Sequence, residues 1–170
     1  MLFSKKDKKL KVIIDTNVYD YIALEEVELV EKITNKLKIY NFSVIKKELE
    51  NTPKDKLFEN GGEIRELLLG VYGEIVSGKL IILDKNITNL ANDYFNEYIK
   101  KNGKKSKKNL MNDFKIVACA SLLGLDIVVS NDDKTMKNKI CKKAYKSINL
   151  NNQLRTPQFI DFKFLKNNLL

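Results

Sequence analysis

Apolar positions along the chain follow two spacings. Short β-branched runs closed by polar residues alternate with longer stretches that repeat an apolar residue every three to four positions. The first run, Val12-Ile13-Ile14, stops abruptly at Asp15-Thr16-Asn17. An unbroken β-branched run suits a strand buried on both faces, here 10–14. Asp, Thr and Asn suit a helix N-cap. Val27, Val30, Ile33 and Leu37 then predict a helix over 18–38, interrupted near Glu25. A second strand is expected at 40–44, with Ser43 capping a helix that carries Glu48 and ends at Asn51-Thr52-Pro53, because the residue before proline resists the helical region.

Past the break at Gly61-Gly62, the spacing of Ile64, Leu67, Leu68, Val71 and Ile75 predicts a helix stopped by Ser77-Gly78. A strand at 79–83 follows, then a helix marked by Ile87, Leu90, Tyr94 and Tyr98. The lysine-rich stretch at 100–109 reads as a mobile basic loop. Residues 112–123 form a small-residue helix with Gly124 as its C′ stop. A strand at 125–130 ends in Asn131-Asp132-Asp133, a lysine-rich helix runs to about Lys143, a strand is expected at 145–150, and Pro157 opens a last helix. Residues 1–9 read as a frayed basic lead-in. The alternation predicts a doubly wound α/β fold with a parallel sheet and right-handed crossovers. With no repeat and no linker, residues 1–170 read as a single domain, and a chain of this length can bury roughly 70% of its unfolded surface.

Composition narrows the chemistry. There is no histidine, which removes His-based acid–base and triad mechanisms and disfavours catalytic zinc. Cys119 and Cys141 make neither a disulfide framework nor a zinc site. No apolar run is long enough for a membrane span or a signal peptide, so no membrane association and a cytoplasmic location are expected. Lys and Arg number 31 against 22 Asp and Glu, a net charge of +9. That balance suits either a polyanion partner such as nucleic acid or solubility alone. Arg65 and Arg155 are the only arginines, so phosphate contact would fall to lysines, which position a backbone but read bases poorly.

Four acids occupy comparable places. Asp15 ends the first strand, Glu48 follows the second, Asp113 opens the small-residue helix and Asp132 ends the strand that this helix feeds. Singly, each has an ordinary explanation: a cap for Asp15 and Asp132, a dipole partner for Asp113, a solvated surface acid for Glu48. If the strand at 125–130 lies beside the first, all four can converge at the carboxyl ends of the strands, where open α/β sheets bind ligands. Crowded carboxylates repel unless a cation neutralises them, and ligands that are all oxygen favour Mg²⁺ or Mn²⁺. Such ions activate water and stabilise charge on a phosphate under attack. With Lys104, Lys105, Lys107 and Lys108 just upstream to guide a phosphodiester backbone, the pattern points to a nuclease.

These residues resemble the PIN-domain ribonucleases, which include VapC-like toxins and RNA-processing endonucleases. The resemblance rests on Asp15-Thr16-Asn17, on Glu48 after Ser43, on the run Asp113 to Ala120, on Val128-Val129-Ser130-Asn131-Asp132 and on Pro157-Gln158-Phe159-Ile160. It implies a three-layer α/β/α fold around a mainly parallel sheet of about five strands. It also implies Mg²⁺- or Mn²⁺-dependent RNA cleavage at Asp15, Glu48, Asp113 and Asp132, with Asn17 and Ser130 in support. Asp133 adjoins Asp132, so either could be the fourth acid, although strand-end spacing favours Asp132. The long stretch between Glu48 and Asp113 leaves both toxin and RNA-processing roles open. A toxin would have an antitoxin partner, and the helices at 18–38 and 44–50 could form a homodimer face. The alternative is a PIN-like module that binds RNA or protein without cutting. A hydride-transferring Rossmann protein lacks support, since no G-x-G-x-x-G follows the first strand. An aspartyl-nucleophile phosphatase would need a second Asp where Asn17 stands.

Overall fold

A computed structural model describes residues 8–59 and 61–170. Most of the lead-in expected at 1–9 lies outside them. Five strands form one sheet in the order β3-β2-β1-β4-β5, with every adjacent pair parallel. The strands are β1 (Leu10–Ile14), β2 (Leu37–Phe42), β3 (Val76–Ile81), β4 (Ile127–Val129) and β5 (Gln158–Ile160). The central strand is β1. Its Val12, Ile13 and Ile14 are fully buried, as a strand covered on both faces requires. It pairs with β2 through Leu10↔Leu37 and with β4 through Ile14↔Val129, and the Asp15 N–H extends the second ladder to the Val129 carbonyl at 2.9 Å.

The chain winds outward from β1 to β3, crosses back to β4 and continues to β5. Right-handed crossovers therefore put α1 (Thr16–Ala23), α2 (Val27–Lys36), α3 (Ser43–Glu50) and α4 (Ile64–Ile75) on one face. The other face receives α5 (Lys85–Lys100), α6 (Lys107–Leu122) and α7 (Lys139–Asn151), and α8 (Phe162–Asn168) follows β5. The result is a three-layer α/β/α arrangement. The direction of winding reverses between β1 and β4, which makes the carboxyl ends of these two strands the switch point of the sheet.

Helix α6 supplies the tightest packing. Phe114, Ile116, Val117, Ala118, Cys119 and Ala120 are all fully buried, and small residues let α5 approach closely. Phe114 meets Tyr94, Tyr98 and Tyr145 edge-on at 5.4–6.3 Å between ring centres. The helix ends as the sequence implies. Gly124 takes φ +60° at C′, its N–H reaches the Ser121 carbonyl, and the Leu125 N–H reaches that of Ala120. Gly124→Ala should cost about 1 kcal/mol from the left-handed backbone alone, since nothing crowds the site, and thermal melting should fall by about 2–4 °C. An unchanged melting temperature would show that this turn relaxes.

Several expectations fail for identifiable reasons. The helix expected over 18–38 is interrupted at 24–26, as expected near Glu25, but it starts earlier, at Thr16, and stops at Lys36, because β2 begins at Leu37, a residue whose burial fits either period. Ser43 makes no cap bond; its hydroxyl accepts the Leu83 N–H instead. Ser77 and Gly78 do not stop a helix but lie inside edge strand β3, where Gly78 takes φ +79° beside a register shift, as glycine does at a bulge. The stretch 145–150 is helical: Cys141, Ala144, Tyr145 and Asn149 are buried at helical spacing within α7. The fifth strand is β5, so Pro157 opens a strand rather than a helix, and Asp161 caps α8 through the Phe164 N–H. The basic stretch at 100–109 is no long loop, because Lys107 and Lys108 already belong to α6. For the same reason Asp113 sits in the second turn of α6, and the helix-dipole explanation of it falls away.

Candidate active site

Asp15 caps α1 and is only 4% exposed. Three groups donate to its carboxylate: the Thr16 N–H at 2.8 Å, the Asn17 amide at 2.8 Å and the Ser130 hydroxyl at 2.7 Å. Burial nevertheless pushes its pKa up to about 6, with the charges of Glu48 and Asp132 adding and the Ser130 and Thr16 bonds opposing. Asp113 is pushed up further, to about 7. Burial again leads, the charges of Asp15, Asp132 and Glu48 add to it, and a bond from Thr135 opposes.

The other two acids are held by neighbours. Glu48 accepts the Thr16 hydroxyl at 2.5 Å and the Asn112 amide at 2.7 Å. The second bond joins α3 to α6, helices from opposite faces that meet over the switch point. Asp132 leads into the turn at 133–137 that follows β4, and accepts the N–H groups of Lys134 and Thr135, each at 2.8 Å, and the Thr135 hydroxyl at 2.5 Å. Burial works to raise its pKa, but the Thr135 and Lys134 bonds, helped by the Lys105 charge, outweigh it and hold the carboxyl below its usual range. Ser130 also accepts the Asp132 N–H, and Asn17 accepts the Asn131 N–H, so both tie β1 to the turn after β4.

Asp133 points elsewhere. Its side chain is 83% exposed and pairs with Lys137 at 3.0 Å, in a concavity shared with Tyr21 and Phe162. The cleft above β1, about 400 Å³, is lined by Asp15, Glu48 and Asp113 together with Asp20 and Lys56. Larger hollows lie away from these acids, notably one of about 800 Å³ among Lys8, Lys9, Lys11 and Lys38. The smaller cleft is the one that gathers Asp15, Glu48 and Asp113, and so it is the candidate. From sequence, Thr16 stands out only as part of the Asp15-Thr16-Asn17 motif, and Asn112 and Thr135 do not stand out. Each stands within three residues of an acid, and Thr135 has the spacing of a turn that bonds back to Asp132.

The donor set suits a hard divalent ion: carboxylates only, two of them with raised proton affinity, and no imidazole in the chain. Among the described residues no three acids or thiols are already drawn together to hold one. Glu48 and Asp132 spend their oxygens on Thr16, Asn112 and Thr135 instead. Cys119 and Cys141 are buried free thiols.

No family model and no curated protein sequence matches the chain. Solved structures do match. VapBC2 from Rickettsia felis, bound to a DNA fragment from its promoter, aligns with a TM-score of 0.56 at 13% identity, covering 90% of this chain and 99% of that one. DNA-bound VapBC from Salmonella typhimurium aligns with a TM-score of 0.56 at 18% identity, covering 89% and 98%. The fold is PIN-like. In this PIN-like sheet the four acids come from four separate segments around the switch point, after β1, on α3, on α6 and after β4. No helix among the described residues is long and apolar enough to cross a membrane.

Proposed function

We propose that this PIN-like protein is a metal-dependent endoribonuclease of the VapC-like kind. One observation carries the reading: buried Asp15 and Asp113, both with raised proton affinity, face a cleft they share with Glu48. Asp15, Glu48 and Asp113 would hold a Mg²⁺ or Mn²⁺ ion, and Asp132 would orient water or complete a second site. Such an ion polarises the phosphodiester and acidifies the attacking water. The chain's own part is to fix these oxygens. Ser130 and Asn17 orient Asp15, and Thr16 and Asn112 orient Glu48. Lys104, Lys105, Lys107 and Lys108 would contact the RNA backbone. The VapBC likeness supports an antitoxin as protein partner and a homodimer, with RNA processing as the other setting for the same chemistry.

Total RNA incubated with the protein and Mg²⁺ or Mn²⁺, with cut ends mapped by sequencing and Asp15→Asn as control, tests this. Discrete metal-dependent ends absent from the control support it. The second reading, a PIN-like module that binds RNA or protein without cutting, is favoured by the acids not being drawn into a cage. Binding without product at any Mn²⁺ concentration would support that module instead.

A further inference from the structure

Two chemistries line the cleft above β1. Asp15, Asp20, Glu48 and Asp113 present carboxylates, which when ionised only accept hydrogen bonds. Asn51, Thr52 and Lys56, all from the segment that joins α3 to α4, present an amide, a hydroxyl and an ammonium. Thr16 and Asn17 also line the cleft, but the Thr16 hydroxyl already donates to Glu48 and the Asn17 amide to Asp15. Among the described residues, nothing engages the side chains of Asn51, Thr52 or Lys56, and Lys56 is the one cation in the lining. Lys104, Lys105, Lys107 and Lys108 lie outside that lining.

The segment is held in shape by its own backbone. Pro53 fixes one φ, and its carbonyl accepts the Lys56 N–H at 3.3 Å. The Lys56 carbonyl accepts the Ile64 N–H at 3.2 Å, one of the donors that the start of α4 would otherwise leave unpaired. Beyond Lys56 a short hairpin closes. Leu57 bridges to Glu63, the Phe58 N–H donates to the Gly62 carbonyl at 2.9 Å, and Gly61 takes φ +82° in the turn. Phe58 is half-buried and packs against the core. Lys56 therefore presents an exposed side chain from a fixed base.

Even with one divalent ion bound, four carboxylates leave the cleft negative, and an approaching phosphodiester is repelled. Phosphate oxygens accept hydrogen bonds, so the acids cannot hold them. The 51–56 segment supplies donors and a positive charge on the same cleft. We propose that Lys56 receives the RNA phosphate next to the cut bond, with the Thr52 hydroxyl and the Asn51 amide as further donors to it. The strand then runs between the α3–α4 segment and the acids. A lysine ammonium meets a phosphate as a point charge and reads no base, so this grip is independent of sequence. This rests on the nuclease reading and deepens it, by naming the group of the substrate that the cleft holds.

The test compares Lys56→Met, Lys56→Arg, Thr52→Val and Lys54→Met in two measurements. One is cleavage of a mapped RNA. The other is binding of the same RNA by fluorescence anisotropy, with each variant also carrying Asp15→Asn so that no cutting intervenes. Lys56→Met should weaken binding about tenfold and lower kcat/KM at least as much, the worth of one charge-assisted contact. Its log–log salt slope for binding should flatten by about 0.7, the share of one phosphate on a single strand. Lys56→Arg keeps the charge and should retain most of both quantities. Thr52→Val removes one neutral donor and should weaken binding about threefold. Lys54→Met, two positions away and outside the lining, should change neither quantity by more than about twofold, since an exposed charge at a distance is screened. If Lys56→Met matches Lys54→Met in both measurements, the proposal is overturned. A wild type that binds RNA but cuts none overturns the nuclease reading, and the two lysine variants compared in binding still decide whether Lys56 grips a phosphate. A wild type that binds no RNA overturns both.

Discussion

Asp15→Asn should abolish RNA cleavage, on the order of 10³-fold or more, while leaving a folded protein that melts higher than wild type in EDTA at pH 8. The two halves of this result have one cause. Asp15 is buried among donors and beside other acids, so its ionised form is costly in the folded chain. A rise from 3.8 to about 6 corresponds to about 3 kcal/mol of destabilisation once the group is charged. Asparagine removes the charge at nearly constant volume. Its amide must, however, point one N–H₂ group toward either the Thr16 N–H or the pair Asn17 and Ser130, and so loses about one hydrogen bond, about 1 kcal/mol. The balance is about 2 kcal/mol in favour of the variant, about 4–8 °C in melting temperature for a chain of this size. Circular dichroism melting and cleavage of a mapped RNA substrate check the two halves. Undiminished turnover at saturating Mg²⁺ would remove Asp15 from the chemistry.

The second large effect is a stability maximum on the acid side of neutrality in the absence of metal. Asp15 and Asp113 both have folded-state pKa values raised above 3.8, to about 6 and about 7, chiefly by burial. The folded chain therefore holds these protons more tightly than the unfolded chain. Their contribution is fully present below about pH 4 and is lost as pH rises through 6 and 7. Asp126 runs the other way. The Lys11 N–H and the Arg155 guanidinium hold its carboxyl below the usual range, so its stabilisation is present above the unfolded value and lost as the solution is acidified through the folded one. In EDTA the melting temperature should peak near pH 5 and fall by several degrees toward pH 8. Saturating Mn²⁺ should lift the alkaline limb, because an ion bound to the ionised acids favours the folded chain. Equal melting at pH 5 and pH 8 in EDTA would mean that these two carboxyls are solvated after all.

How much of this could be read from the residues depended on how many neighbours each segment needed. Val12-Ile13-Ile14 announces a strand covered on both sides whatever surrounds it, and Gly124 announces a helix end through its own backbone. Strands β4 and β5 have three residues each, too short to carry a period, and β5 was hidden behind a proline that suits a helix start equally well. Tyr145, Ile148 and Leu150 look strand-like until Cys141 and Ala144 are counted with them on one helical face. The pairing of β1 with β4, on which any meeting of Asp15 with Asp132 depends, was a supposition from sequence and is a register in the structure. What the pattern could not supply was how each carboxylate is occupied. Thr16 reaches Glu48 across 32 positions and Asn112 reaches it across 64, distances over which local spacing carries no signal.

The Asn112–Glu48 bond links two helix layers that otherwise stand on opposite sides of the sheet. Helices α3 and α6 also approach each other closely there, and Glu48 has a second donor in Thr16. Removing the Asn112 amide would cost about 1 kcal/mol and leave the β1–β4 ladder untouched. One of the four acids is thus pinned from two separate segments, and its aim can be altered without loosening the frame that carries the other three.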